Sequence, residues 1–303
     1  MEAAHVQDDW SHAAGLGGVG SDVGGEVFDR LVAAWRAREV QGLLHLLCDT
    51  DGEEVYHTLF MKAAAEAAGI QCKVVVGTEG WTFAEGGRVV DADGVAFQNV
   101  WKTWAWRTIV DGLTEAEIAS YVSQAESVGA GGSAEVQQQQ FLPHSSAPKL
   151  GHALLDARTR VIEPLWTMLP SSKSILPVLC ELFPSHPYLL KSSFELTQDL
   201  VEGGHVAKPV RGRGGKNVSL FEPCLGHGSI QQPAEVTSGR WSDDVQVYQE
   251  LCLLPKVGGA FVQFCTWAIN GQHGGVVVRQ GTSAIIGYES DVMPIRVVED
   301  NLQ

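Results

Sequence analysis

The sequence has no surplus of positive charge, no paired cysteines and no long apolar run, and each absence removes a class of function. Its 21 Lys and Arg stand against 36 Asp and Glu, a formal net charge of −15. Such a field repels phosphate backbones and anionic membrane surfaces and draws in cationic small molecules. The basic footprint that nucleic-acid binding needs is missing. The six cysteines (Cys48, Cys72, Cys180, Cys224, Cys252 and Cys265) are scattered without a Cys-x-x-Cys pair. That spacing argues for reduced thiols rather than a zinc site or a disulfide framework. The ten histidines show no ligand spacing, so no metal-binding residue is assigned. No Ser/His/Asp or Cys/His arrangement stands out. No apolar stretch approaches the roughly 18 residues of a membrane span, and the first residues lack the basic-then-apolar pattern of a secretory signal. The expectation is a cytoplasmic protein that binds neither nucleic acid nor membrane.

What is present is ordinary globular composition: 303 residues, 45% hydrophobic and 19% charged, enough for one large domain or two modest ones. Residues 1–25, with Gly15, Gly17, Gly18, Gly20, Gly24 and Gly25 and little periodicity, read as a flexible N-terminal arm. Phe28, Leu31, Val32 and Trp35 recur at helical spacing and predict an amphipathic helix over 26–40. A buried strand over 42–48, a helix over 53–68 entered through Asp49, Thr50 and Asp51, and a second strand over 70–76 predict a parallel pairing. Residues 88–90 and 95–97 flank Asp91-Ala92-Asp93-Gly94, a hairpin signal. Residues 124–149 carry a glycine run and four consecutive glutamines, the composition of a low-complexity loop. Beyond it come a strand-like 161–164, a helix over 173–183, and β-rich runs at 205–210, 217–221, 245–254, 260–269 and 275–279 separated by glycine turns. The fold class is α/β (α+β), with an antiparallel C-terminal region.

The strongest local signal lies between 203 and 217. Residues 205–221 hold Lys208, Arg211, Arg213 and Lys216 and no acid, with Gly212, Gly214 and Gly215 among them. Glycines let backbone N–H groups approach an anion, and lysines supply point charges. The segment is not a Walker A loop, because Asn217 follows Gly-Lys and a strand-like run follows in place of a helix. A hairpin over nucleotide phosphates and a solvated cationic turn fit these residues equally. Asp49, Asp51, Glu53 and Glu54 cluster between a predicted strand and its helix, where they could hold an ammonium group or cap the helix. Trp101, Trp104 and Trp106 read first as core. Lys102 and Thr103 between them would suit a carboxylate-bearing substrate.

Taken together, several runs resemble the glutathionylspermidine synthase and trypanothione synthetase family. They are Val100–Trp106, Glu163–Trp166, Lys173–Leu179, Leu182–Leu190, Ala207–Asn217, Val247–Glu250 with Leu254–Lys256, and Glu289–Asp291, in the family's order over roughly residues 40–298. The resemblance implies an ATP-grasp-like fold, two α/β subdomains clasping ATP, with 26–123 as the substrate-binding part and 150–303 as the nucleotide-binding part. It implies an ADP-forming acid–amine ligase in which ATP phosphorylates the glycine carboxylate of glutathione and a spermidine amine attacks the acyl phosphate. ATP and Mg2+ would be the cofactors, and glutathione and spermidine, or a similar polyamine, the substrates. By position, Lys173, Lys208, Gly212, Gly214 and Gly215 would meet the ATP phosphates. Tyr248, Gln249, Glu250, Leu251 and Gln263 would meet the nucleotide's other end. Arg279 would stabilise the transition state, Thr103 would hold glutathione, and Glu53 and Glu54 the polyamine. The family's upstream Arg-x-Asp and Glu-x-Asn-x-Asp metal block has no match here, and Gly287-Tyr288 stands where the family carries lysines. The chain is therefore expected to be an N-terminally incomplete synthetase domain. The alternative is a degenerate or truncated member that binds ATP or a partner without turnover.

Overall fold

A computed structural model gives the fold and describes residues 2–129, 147–224 and 231–299. The chain forms two compact units, one of residues 28–168 and the other of residues 3–27 with 169–303. The first helix, α1 (Glu2–Ala13), belongs to the second unit.

The 28–168 unit is entered through α2 (Val27–Ala37), whose Leu31, Val32 and Trp35 are buried at the predicted helical spacing. The Trp35 indole N–H meets Met61 Sδ at 3.1 Å. The next elements are β1 (Leu44–Cys48), α3 (Gly52–Ala67) and β2 (Cys72–Val76). All five residues of β1 are buried, as a central parallel strand covered on both faces requires. Asp51 starts α3 by accepting the amide protons of Glu53 and Glu54 at 2.9 and 3.4 Å, so the helix's first orphan N–H groups are satisfied by the cap. The predicted parallel pairing of β1 with β2 is present, Leu44 opposite Cys72 through Cys48 opposite Val76.

A small antiparallel ribbon follows, β3 (Thr82–Phe83) with β4 (Val89–Val90), and Val90 bridges Ala96 across the predicted Asp-Gly turn. Then β5 (Asn99–Lys102) joins β1 on its other side, again parallel. Three helices, α4 (Trp106–Asp111), α5 (Glu115–Gly129) and α6 (Leu150–Leu154), precede β6 (Arg160–Val161), which adds to β5 in parallel. The sheet order is β2-β1-β5-β6. Phe97, Trp81, Trp106, Ile109 and Leu154 pack as one core, with Trp104 partly buried against it. The tryptophan cluster is thus largely core. Burying rings of this size contributes roughly 1.5–3 kcal/mol each.

The second unit continues with α7 (Ile175–Leu182), β7 (Ser192–Ser193), α8 (Gln198–Gly203), β8 (His205–Pro209), β9 (Ser219–Phe221), β10 (Glu235–Val236) and β11 (Gln246–Glu250). Its first sheet is antiparallel in the order β10-β9-β8-β11-β7. The second sheet is built from β12 (Lys256–Val257), β13 (Ala260–Ile269), β14 (Gln272–Gly281) and β15 (Asp291–Met293), in sequence order and antiparallel throughout.

Three expectations are corrected. Residues 1–25 are not an unattached arm: α1 sends buried Gln7 to the Val276 carbonyl and the Ile295 amide, both at 3.2 Å, and Ser21 bridges Val297. The low-complexity stretch does not begin at 124, because α5 continues to Gly129, and 130–146 lie outside the described residues. Residues 150–168 pack with the first unit rather than the second, because β6 finds its partner in β5.

Candidate functional site

The glycine-rich segment is the turn between β8 and β9, strand on both sides as its composition predicts. Lys208 lies on β8, and its ammonium donates to Gln249 Oε1 on β11 at 2.7 Å. The Gln249 amide in turn donates to Ser192 Oγ on β7 at 3.1 Å, so three strands fix the position of one ammonium. Lys173 arrives just before α7. Its backbone N–H donates to Val210 O at 3.1 Å, and its ammonium reaches the Gly212 carbonyl within the turn.

The two ammonium groups are each disfavoured as cations. Burial pushes the Lys208 ammonium below its usual pKa, and the charge of Lys173 pushes it the same way. Lys173 is lowered by burial and by Arg213, against a partial pull from Asp244. That acid is engaged elsewhere: Arg211 binds Asp244 through its backbone N–H and its Nε, both at 2.9 Å. One of the turn's four cations is therefore neutralised by an acid distant in sequence, while Lys173, outside the turn, takes its place.

Two glycines are required here by geometry. Gly214 and Gly215 both have positive φ (56° and 68°), a region costly for other residues. A β-carbon on Gly215 would lie 2.6 Å from the Ile286 carbonyl oxygen, and one on Gly214 would lie 2.0 Å from the Tyr288 ring.

Strand alternation separates the predicted nucleotide residues. Val206, Lys208, Val247 and Gln249 share one face of the sheet, whereas Ala207 and Tyr248 pair on the other. The Tyr248 side chain is thus not brought to Lys208. It lines a cavity of about 610 Å3 with His205, Ala207, Ser219 and Phe221 on the reverse face. Glu250 is exposed and accepts the Lys191 amide proton at 3.3 Å, and the Leu251 N–H donates to Gly204 O at 3.1 Å. In the second sheet, Gln263 on β13 faces Arg279 on β14 as a cross-strand pair. Arg279 donates to Gly287 O at 2.5 Å and Tyr288 O at 3.4 Å, which ties it to the segment that underlies the glycine turn. Tyr288 and Asp244 are given no role from sequence, whereas Lys216 is read there as one of the turn's cations. The unexpected tyrosine after Gly287 was the one available signal.

In the other unit, the residues that the resemblance links to glutathione and polyamine collect at the carboxyl ends of the parallel strands. The chain leaves β1 for β2 on one side and returns to β5 on the other, so the crevice between the ends of β1 and β5 is a topological switch point, the place where open α/β sheets bind ligands. Thr103 sits there, its N–H donating to Leu47 O at 3.0 Å. Asp49 and Asp51 follow β1, and both are used locally: Asp49 accepts the Asp51 amide at 2.8 Å, and Asp51 caps α3. Glu53 and Glu54 stand in the first turn of α3. Lys102 is buried (5% exposed), donates to Trp104 O at 2.8 Å and lies 4.5 Å over the Trp106 ring. Burial lowers its pKa to about 8, against an upward pull from Glu163.

All six cysteines are free, and Cys48 alone among them is buried. Among the described residues no group of three or more His, Cys, Asp or Glu could hold a metal ion, and no helix is long and apolar enough to cross a membrane.

Fold and site define an α/β protein with a lysine-flanked glycine turn on one antiparallel sheet and a topological switch point on a separate parallel sheet. Comparison with known proteins makes the class particular. The family model described as glutathionylspermidine synthase preATP-grasp matches residues 141–298. The bifunctional glutathionylspermidine synthetase/amidase of Escherichia coli (strain K12) is 33% identical over 300 residues, 98% of this chain and 45% of that protein. The trypanothione synthetase of Crithidia fasciculata is 32% identical over 298 residues, 98% of this chain and 43% of that protein. The glutathionylspermidine synthase of the same organism is 30% identical and is covered to 42%. The chain belongs to the glutathionylspermidine synthase family and spans just under half the length of these curated relatives.

Proposed function

We propose that the chain is the nucleotide- and substrate-holding part of an ATP-dependent acid–amine ligase that joins the glycine carboxylate of glutathione to an amine of spermidine or a similar polyamine. The observation that carries the reading is the pair Lys173 and Lys208. Two partly buried ammonium groups from different segments, each destabilised as a cation by burial and by positive neighbours, flank a glycine turn. A polyphosphate relieves that repulsion, whereas a surface turn would leave its lysines in water.

In this reading the antiparallel sheet β10-β9-β8-β11-β7 is the nucleotide sheet of an ATP-grasp fold. Lys173, Lys208 and the amides around Gly212, Gly214 and Gly215 take the phosphates, and Gln249 orients Lys208. The backbone of Gln249, Glu250 and Leu251 meets the adenine, with Gln263 beyond, while the Tyr248 side chain faces away. Arg279 is poised for the charge that develops as the amine attacks the acyl phosphate. Thr103 takes the thiol peptide and Glu53 and Glu54 the polyamine. Holding the reactants in line and neutralising phosphoryl charge supplies most of the acceleration in such chemistry. Magnesium, which the resemblance implies, finds no ligand cluster among the described residues. The three relatives described above carry the names of synthetases or synthases, which favours the ligase over a member without turnover.

Equilibrium titration with ATP tests the nucleotide half. Wild type binds, and Lys208→Ala loses roughly tenfold or more in affinity, the magnitude of one charge-assisted hydrogen bond in a desolvated site. ADP release with ATP, magnesium, glutathione and spermidine tests the reaction. Binding without any ADP at high protein concentration would reject the ligase activity.

A further inference from the structure

Tyr288 lies against the glycine turn. A β-carbon on Gly214 would meet the ring at 2.0 Å from Cε2 and 2.3 Å from Cδ2, so the ring occupies the space that glycine alone leaves open. Two residues on, the Lys216 ammonium lies 5.5 Å from the same ring's centroid, within the range of a cation–π contact. The next glycine packs its Cα against the Ile286 carbonyl, since a β-carbon there would come within 2.6 Å of that oxygen. The segment beneath is braced. Arg279 donates to the carbonyls of Gly287 and Tyr288, and Ser290 Oγ donates to Gly287 O at 2.8 Å. The far end of the turn is braced too, by the Thr237 hydroxyl donating to Gly215 O at 2.6 Å. The turn is thus fixed at its base, and the ring is what holds its tip.

We propose that Tyr288 is a positioning residue for the phosphate turn: its ring seats on Gly214 and against Lys216, holding the turn down over the cradle and the Lys216 ammonium toward the polyphosphate. This rests on the nucleotide reading above, and it extends that reading to a residue beyond the turn itself. Tyr288 is 63% exposed, so truncating it removes the contact without opening a core cavity. The aromatic face, not the hydroxyl, makes the contact, so phenylalanine should substitute for it.

Hydrogen exchange of the nucleotide-free protein isolates the positioning role. In Tyr288→Ala the Lys216 amide, which donates to Arg213 O at 3.1 Å across the turn, exchanges about fivefold faster, the scale of a lost ~1 kcal/mol aromatic contact, while Tyr288→Phe matches wild type. Dissociation of a fluorescent ATP analogue, followed by stopped flow, speeds in Tyr288→Ala by a similar factor and is restored in Tyr288→Phe. Unchanged exchange of the Lys216 amide in Tyr288→Ala, with the rest of the protection pattern intact, overturns the proposal. Faster exchange in a wild-type background that binds no ATP would instead keep the contact and reject the nucleotide reading. Faster dissociation in both Tyr288→Ala and Tyr288→Phe would transfer the role to the hydroxyl and also overturn it.

Discussion

Lys102 shows how one residue couples the core to the switch-point crevice. It is the last residue of β5, directly before Thr103, and its ammonium is held under protein by Trp104 O and the Trp106 ring. The carbonyl and the π face offset part of the cost of burying a charge, but burial still wins, and the group loses its proton near pH 8 rather than 10.5. The sign of the consequence follows from proton counting. Below about 8 the lysine is charged in both folded and unfolded chains. Between about 8 and 10.5 the unfolded chain holds a proton that the folded one has released, so stability rises with pH across that window. Urea unfolding of wild type and Lys102→Met over this range should show the rise in wild type and its loss in the variant. Equal slopes would show that Lys102 is not the titrating group. Lys208 was legible from sequence because its glycine context is local. The neutralisation of Arg211 by Asp244 was not, because the acid lies 33 positions away.

Among the elements, β1, β2 and the Asp-Gly hairpin are bound by a buried network. Asp91, 2% exposed, bonds Lys73 from β2, accepts the Val95 and Asp93 amides at 2.9 and 3.0 Å, and meets His45 Nε2 from β1 at 3.3 Å. Burial raises the Asp91 pKa, but Lys73 and the two amides outweigh it, so the net shift is downward. His45 is held below 6.5 by burial, against the pull of Asp91. Both shifts act in one direction on acidification: the His45 contribution is complete above 6.5 and fades as pH falls through its lowered folded value, and the Asp91 contribution fades below 3.8. Asp91→Ala should destabilise by about 1–3 kcal/mol at pH 7, because His45 and two amides lose their acceptor while Lys73 keeps Asp93 at 2.7 Å. Denaturant titration checks this. The fall just below pH 6.5 should vanish in His45→Gln. These strands could be predicted because their apolar runs and turn residues are local signals. Helix α1 could not, since EAAHVQDDWSHA is mostly polar and is held by Gln7 bonding residues 276 and 295. The sequence predicts a strand over 161–164 and β6 lies at Arg160–Val161, but only its pairing with β5 reveals where the first unit ends.

At the scale of the whole molecule, the net charge of −15 acts with opposite sign on the two kinds of substrate that the proposed reaction needs. A polyamine meets attraction at every distance, first from the overall field and then from Glu53 and Glu54. ATP meets repulsion until it reaches the cradle, where Lys173, Lys208, Arg213 and Lys216 dominate. The protein's long-range field is screened when the Debye length shrinks from about 30 Å at 0.01 M salt to about 8 Å at 0.15 M. The short-range contacts in a partly buried cradle are screened much less. Raising salt across that range should therefore slow association of spermidine and quicken association of ATP, leaving ATP dissociation nearly unchanged. Stopped-flow association rates at matched temperature measure both. A shared slowing of both ligands would mean that ATP is steered by a positive surface larger than the turn. The charge asymmetry is visible in composition. The opposed salt responses follow only once the fold places the cations around one turn of one sheet and the two glutamates in the first turn of a helix in the other unit.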